Sequence, residues 1–134
     1  MIPDYAGKTI EIIRLDGSVQ LWTADNWYIH FGGDPLVSAP GMTAVEVDPG
    51  TPPDLDAGET YPPVPDVLAP FVGKTIRALQ VSAVGDLSAT FDDTSQLSVK
   101  AAAEYEAWQL SGPRGEMVVC MPGGELAIWG PRAE

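Results

Sequence analysis

Ala6-Gly7-Lys8-Thr9-Ile10, near the start of the chain, returns as Val72-Gly73-Lys74-Thr75-Ile76, 66 residues later. Self-similarity at a fixed spacing marks a repeated structural unit, and the residues after each copy agree in kind. After the first come Ile10-Glu11-Ile12, a turn at Asp16-Gly17, Val19-Gln20-Leu21, a turn around Ala24-Asp25-Asn26, and Trp27-Tyr28-Ile29-His30-Phe31. After the second come Ile76 to Val81, a turn around Val84-Gly85-Asp86, Leu87-Ser88-Ala89-Thr90-Phe91, a turn at Asp92-Asp93-Thr94, and Leu97-Ser98-Val99-Lys100. Apolar residues at alternate positions, punctuated by Gly, Asp and Asn, read as short strands joined by tight turns. Each copy therefore predicts a three-stranded antiparallel meander. Trp27, Ile29 and Phe31 fall on one face and Tyr28 and His30 on the other, while Leu97 and Val99 face away from Gln96, Ser98 and Lys100.

Three further strands follow at Ala107 to Leu110, Glu116 to Met121 and Leu126 to Trp129, separated by Ser111-Gly112-Pro113-Arg114-Gly115 and Pro122-Gly123-Gly124, which are hairpin signals. Met117-Val118-Val119-Cys120-Met121 is apolar at every position and reads as a central or doubly covered strand. Only Ala101 to Glu106 leans towards helix, for one turn at most. Residues 34–70 hold nine of the thirteen prolines and seven carboxylates, and no Lys or Arg occurs from Leu15 through Gly73. Proline removes backbone donors and fixes φ, so this stretch is irregular apart from one edge strand at Thr43 to Val47. The expected architecture is one mostly-β domain over 1–134, a sandwich or an open barrel. It has a first meander at 5–33, an acidic Pro-rich connection at 34–70, and a second meander with a C-terminal hairpin at 71–130.

The charge is 7 Lys and Arg against 19 Asp and Glu, net −12. Binding to nucleic acid requires clustered cations on phosphates, and the seven here are scattered, so nucleic acid and anionic membranes are excluded as partners. An acidic domain suits solubility, or electrostatic steering towards a basic protein. Cys120 is alone, which rules out an intrachain disulfide and fits a reducing cytoplasm. The start Met1-Ile2-Pro3-Asp4-Tyr5 has neither a basic nor an apolar leader region, and no apolar run is long enough to span a bilayer.

Gly-Lys-Thr invites a phosphate-loop reading. That loop needs a Gly five positions earlier, where the chain has Ile2 and Leu68, and it must open a helix rather than a strand. The Gly is instead expected to supply a special turn geometry and the Lys to be solvated. Asp54-Leu55-Asp56-Ala57-Gly58-Glu59 fails as a calcium loop, having Glu59 and Pro65 where Gly and Glu are required. One His and one Cys cannot make a usual zinc site. His30 has no Ser in a nucleophile elbow, Cys120 lies in an apolar run, and Asp92-Asp93 is a turn. No catalytic residue, metal or cofactor is therefore expected. Trp22, Trp27, Tyr28, Trp108 and Trp129 exceed what a small core can hold, and Trp and Tyr often anchor interfaces.

Tyr105-Glu106-Ala107-Trp108-Gln109-Leu110-Ser111-Gly112-Pro113, with Val119 through Trp129 and the strand start at Gly73-Lys74-Thr75-Ile76, resembles an uncharacterised family of small bacterial proteins. The resemblance covers 72–129 and reaches the first half through the repeat. It implies a small β-rich domain and brings no catalytic residue. In size, charge and missing active site the chain is also similar in general character to immunity proteins, which block a toxin by binding it. The expected function is a non-enzymatic protein-binding module, an immunity-like inhibitor of a basic toxin or enzyme. It would use Asp48, Asp54, Asp56 and Glu59 for charge and Trp22, Tyr28 and His30 as an aromatic and polar face. The alternatives are a self-associating β domain forming a homo-oligomer through exposed strand edges, and a small-ligand binder with a pocket between the meanders.

Overall fold

The computed structural model describes residues 2–131; Arg132, one of the scattered cations, and the outermost ends of the 1–134 span lie outside the described residues. The first repeat folds as β1 (Ile10–Leu15), β2 (Val19–Thr23) and β3 (Tyr28–Phe31). The second folds as β6 (Ile76–Val81), β7 (Leu87–Phe91) and β8 (Gln96–Val99). Between them lie β4 (Leu36–Ser38) and β5 (Val45–Glu46), and after them β9 (Trp108–Ser111), β10 (Met117–Cys120) and β11 (Leu126–Trp129). All pairing is antiparallel, in two sheets ordered β1-β2-β3-β9-β10-β11 and β5-β4-β8-β7-β6. The fold is a mostly-β sandwich, and neither sheet closes into a barrel.

The two meanders are related by an internal two-fold. Thr9 and Thr75 form an isolated antiparallel bridge, with their Oγ1 atoms 3.0 Å apart. Around it the bonds come in pairs: Ile10 N to Lys74 O at 3.0 Å and Ile76 N to Lys8 O at 2.8 Å, Gly7 N to Ile76 O and Gly73 N to Ile10 O both at 2.8 Å. Gly7 and Gly73 have φ of +86° and +91°, a region open to glycine, which is why the repeated motif carries Gly there. Both copies break register at the same place, between Ile10 and Ile12 and between Ile76 and Ala78. The turn between β6 and β7 is two residues longer than that between β1 and β2, so the spacing of equivalent residues grows from 66 to 68. Asn26 and Thr94 are then equivalent, and they are the two non-glycine residues with positive φ among the described residues.

The repeated lysines are not solvated as the sequence suggested. Lys8 pairs with Asp25 and Lys74 with Asp93, each at 2.7 Å, and each ammonium also lies over a ring, Trp27 at 4.7 Å and Phe71 at 4.3 Å. The turn after β2 or β7 brings the carboxylate back to the strand start, a long-range meeting that local sequence does not signal.

After each meander the chain crosses to the other sheet. β4 follows β3 but pairs with β8, through Val37 opposite Leu97; β9 follows β8 but pairs with β3, through Leu110 opposite Ile29. The C-terminal strands thus extend the sheet of the first meander, and the acidic connection contributes two strands to the sheet of the second. Inward alternation from both sheets builds one core, with Ile10, Leu21, Ile29, Phe31, Ile76, Leu97, Trp108 and Leu110 all buried. The Trp108 indole donates to Gly85 O at 2.8 Å, tying β9 to the β6–β7 turn. Tyr5, buried at the chain start, donates its hydroxyl to Tyr28 O at 2.9 Å and Ser111 O at 3.3 Å, pinning the β3–β9 seam. Ala101 to Glu106 forms no helix; the helical pieces among the described residues are single 3₁₀ turns at Leu55–Ala57 and Ala69–Phe71.

Candidate functional site

Register across the six-stranded sheet places two rows on its outer face. One runs Ile12, Trp22, Tyr28, Ser111, Met117, Trp129; the other runs Arg14, Gln20, His30, Gln109, Val119, Ala127. In a chain of net charge −12, these twelve outward positions hold no carboxylate and a single permanent cation, Arg14. Trp22 and Tyr28 pack at 4.9 Å between ring centroids, and Tyr28 stacks on His30 at 6.1 Å and 27°. The Arg14 guanidinium lies 4.8 Å from the Trp22 ring and 4.5 Å from that of Tyr61, while its Nε donates to Gln20 Oε1 at 3.0 Å. Each cation–aromatic contact contributes on the order of 1 kcal/mol, so the face is preorganised rather than a set of free rotamers.

Burial pushes the His30 imidazole below its ordinary value, with Glu106 opposing, so the face carries a neutral His30 at neutral pH. Burial raises the Tyr28 phenol, against the pull of Arg14. His30 and Cys120 lie on opposite faces of the sheet, since Cys120 is in the core with its thiol pointed at Gly85 O, so they cannot form a dyad.

The sequence profile of a family of unknown function (DUF6188) matches residues 1–130. The chain belongs to this family. The match spans both meanders and the acidic connection, where the resemblance in the sequence rested on the second half. No curated protein and no solved structure matches the chain.

Of the residues singled out from this family member's sequence, the structure brings Trp22, Tyr28 and His30 together. The four acids do not join them. Asp48 accepts from Gly50 N at 2.8 Å, Asp54 accepts from Ala57 N at 3.2 Å, and Glu59 accepts from Asp54 N at 2.7 Å; all three, with Asp56, are exposed on the connection. Tyr61, on Arg14, is where the connection reaches the aromatic face. Arg14, Tyr61, Ser111 and Met117 were missed, because membership of the face follows from strand register and from a contact between residues far apart in the chain. Among the described residues no three of His, Cys, Asp and Glu gather into a group able to hold a metal. A solvent-open cavity of about 690 Å³ runs along Ser88, Ser98, Leu36 and Glu46 of the other sheet to Gly32 and Gly33 at the end of the first meander, beside Tyr105 and Lys100.

Proposed function

We propose that this domain is a non-catalytic protein-binding module, with the Trp22, Tyr28, Met117 and Trp129 face as its docking centre. The carboxylates Asp48, Asp54, Asp56 and Glu59 attract a basic partner from the side. The observation that carries this is the comparison of the two repeats. Where the first has Ile12, Trp22 and Tyr28, the second has Ala78, Thr90 and Gln96; where the first has Arg14, Gln20 and His30, the second has Gln80, Ser88 and Ser98. The second copy forms the same meander with Ala, Thr, Ser and Gln at these positions, so the meander itself does not require the aromatics of the first copy. A centre of Trp, Tyr and Met is the composition of an interface whose few aromatic anchors supply affinity, with charges elsewhere on the domain supplying approach.

Within this reading, an inhibitor of a basic toxin, of the general character of an immunity protein in a bacterial cytoplasm, is the most concrete form. The lone buried Cys120 is at home in such a reducing compartment. The test is capture from the native host with the purified domain, in three forms: unmodified, Trp22→Ala with Tyr28→Ala, and Thr90→Ala with Gln96→Ala as the matched control on the other repeat. A stoichiometric basic protein should be retained by the unmodified and control forms, lost with the aromatic variant, and released at about 0.5 M salt, where charge attraction beyond a few ångströms is screened. Equal retention by all three folded forms overturns the assignment.

A further inference from the structure

We infer that the cavity on the five-stranded sheet binds a free basic α-amino acid, a small ligand with two cationic groups and one carboxylate. The site lies on the other sheet from Trp22 and Tyr28 and stands independently of the docking reading. The internal two-fold matches the outer row Gln20, His30, Gln109 and Val119 of the six-stranded sheet to Ser88, Ser98, Leu36 and Glu46 of the five-stranded one. Gln20 and His30 give way to two serines, and the lost bulk opens a trough across the strands. The two crossing segments, 32–35 and 100–107, wall its end, and they are fixed in place. Gly32 N and Gly33 N donate to Ala107 O at 2.8 and 3.3 Å, and Gly123 N donates to Ala102 O at 2.8 Å. Ala101 N donates to Asp86 Oδ1 at 2.8 Å. A Cβ on Gly32 would collide with the Glu106 carbonyl oxygen, and one on Gly33 would stand 3.0 Å from the Tyr105 hydroxyl, so glycine at both positions lets the wall and the Tyr105 ring close on the trough. The enclosed volume of about 690 Å³ is that of a small-molecule site.

The charges of the lining select the ligand. Asp34, Glu46 and Lys100 all line the cavity, and among the described residues their side chains have no hydrogen bond or ion pair. Two unpaired carboxylates and one unpaired ammonium are the complement of arginine or lysine, whose α-ammonium and side-chain cation would answer the first two and whose carboxylate would answer the third. Asp86, partly committed to Ala101 N, adds to the negative potential that draws such a ligand in. The Ser88 and Ser98 hydroxyls on the floor can accept from a guanidinium or ammonium, Leu36 takes the aliphatic stem, and the exposed Tyr105 ring offers a face to a cation. A simple diamine would meet Lys100 with the wrong sign, and a simple anion would meet Asp34 and Glu46. A ligand of about a dozen heavy atoms at ordinary efficiency of about 0.3 kcal/mol per atom binds with a dissociation constant of about 1 mM.

Titration of the full ¹⁵N-labelled chain with L-arginine, followed by amide chemical shifts, tests this without reference to any protein partner. Saturable shifts should centre on Gly33, Ser88, Ser98 and Ala101. Citrulline, which lacks the side-chain cation, and Nα-acetylarginine, which lacks the α-ammonium, should each bind about three- to fivefold more weakly, the worth of one exposed ion pair. Asp34→Asn with Glu46→Gln should weaken arginine about tenfold or more, the two losses compounding. Lys100→Ala should weaken arginine about three- to fivefold relative to argininamide, which has no carboxylate for Lys100 to meet. Ser88→Gln with Ser98→His restores the residues of the first repeat and should fill the trough and abolish the shifts, with circular dichroism reporting an unchanged fold for each variant. No saturable shift at about 20 mM arginine, equal binding of citrulline, shifts centred instead on Trp22 and Tyr28, or folded variants that bind like the unmodified chain would each overturn the inference.

Discussion

Gly123 and Gly124, neighbours in the β10–β11 turn, share nearly the same backbone conformation, φ +91° and +95°, and differ in what surrounds them. A Cβ on Gly123 would meet nothing within 4 Å; a Cβ on Gly124 would sit 2.3 Å from the Val84 carbonyl oxygen. Alanine at either site incurs left-handed strain of about 1–2 kcal/mol. At Gly124 it must also drive the β10–β11 turn away from the β6–β7 turn by roughly 1 Å to reach ordinary van der Waals contact. Trp108 Nε1 bonds to Gly85 O, the residue after Val84, at 2.8 Å, so that displacement stretches a buried bond whose loss costs about 1–3 kcal/mol. Gly124→Ala should therefore destabilise by about 2–5 kcal/mol and Gly123→Ala by about 1–2 kcal/mol. Urea denaturation followed by tryptophan fluorescence measures both, with the midpoint moving and the slope unchanged if only stability is affected. Equal midpoint shifts for the two variants would refute the claim that the close approach of these turns holds the crossing strands in place.

Tyr5→Phe removes one hydroxyl shared between Tyr28 O and Ser111 O and should cost about 1–2 kcal/mol in the same assay; no change would show that the seam holds without it. For His30, burial lowers the folded pKa below the ordinary 6.5, so the unfolded chain binds the proton more readily. The stabilising contribution is complete above the unfolded pKa and is lost as pH falls through the folded one, and His30→Gln should flatten that part of the stability curve. An imidazole titration midpoint at or above 6.5, measured by NMR, would contradict the burial argument.

The meanders and their inward and outward faces were legible because period-two alternation is a local property: Ile29 and Phe31 are buried, and Tyr28 and His30 are turned out, as the spacing implies. The crossing was not legible. Val37 opposite Leu97 and Ile29 opposite Leu110 are pairings between segments that alternate correctly in any sheet, so nothing near either residue names its partner. β4, a three-residue strand directly after Pro35, is too short to show a period. The aromatic face was half visible, since Trp22, Tyr28 and His30 alternate within one hairpin, while Ser111, Met117 and Trp129 join them only through β9. The four acids drew notice by composition, and the structure spends three of them on their own backbone.

The crossing makes the aromatic face a property of the whole chain. Ile12, Trp22 and Tyr28 come from the first meander, and Ser111, Met117 and Trp129 arrive from the far end of the sequence because β9 completes the sheet of the meander it does not follow. Neither repeat can present the row alone. The contacts that set the relative positions of the halves also set the spacing of the rings: the Thr9–Thr75 bridge, the Tyr5 hydroxyl at the β3–β9 seam, and the Gly85–Gly124 approach. The aromatic face and the two-fold frame are therefore coupled. A shift of β10 and β11 away from the β6–β7 turn carries Met117 and Trp129 with it while Trp22 and Tyr28 stay with β2 and β3, so damage to the frame moves the two halves of the row apart.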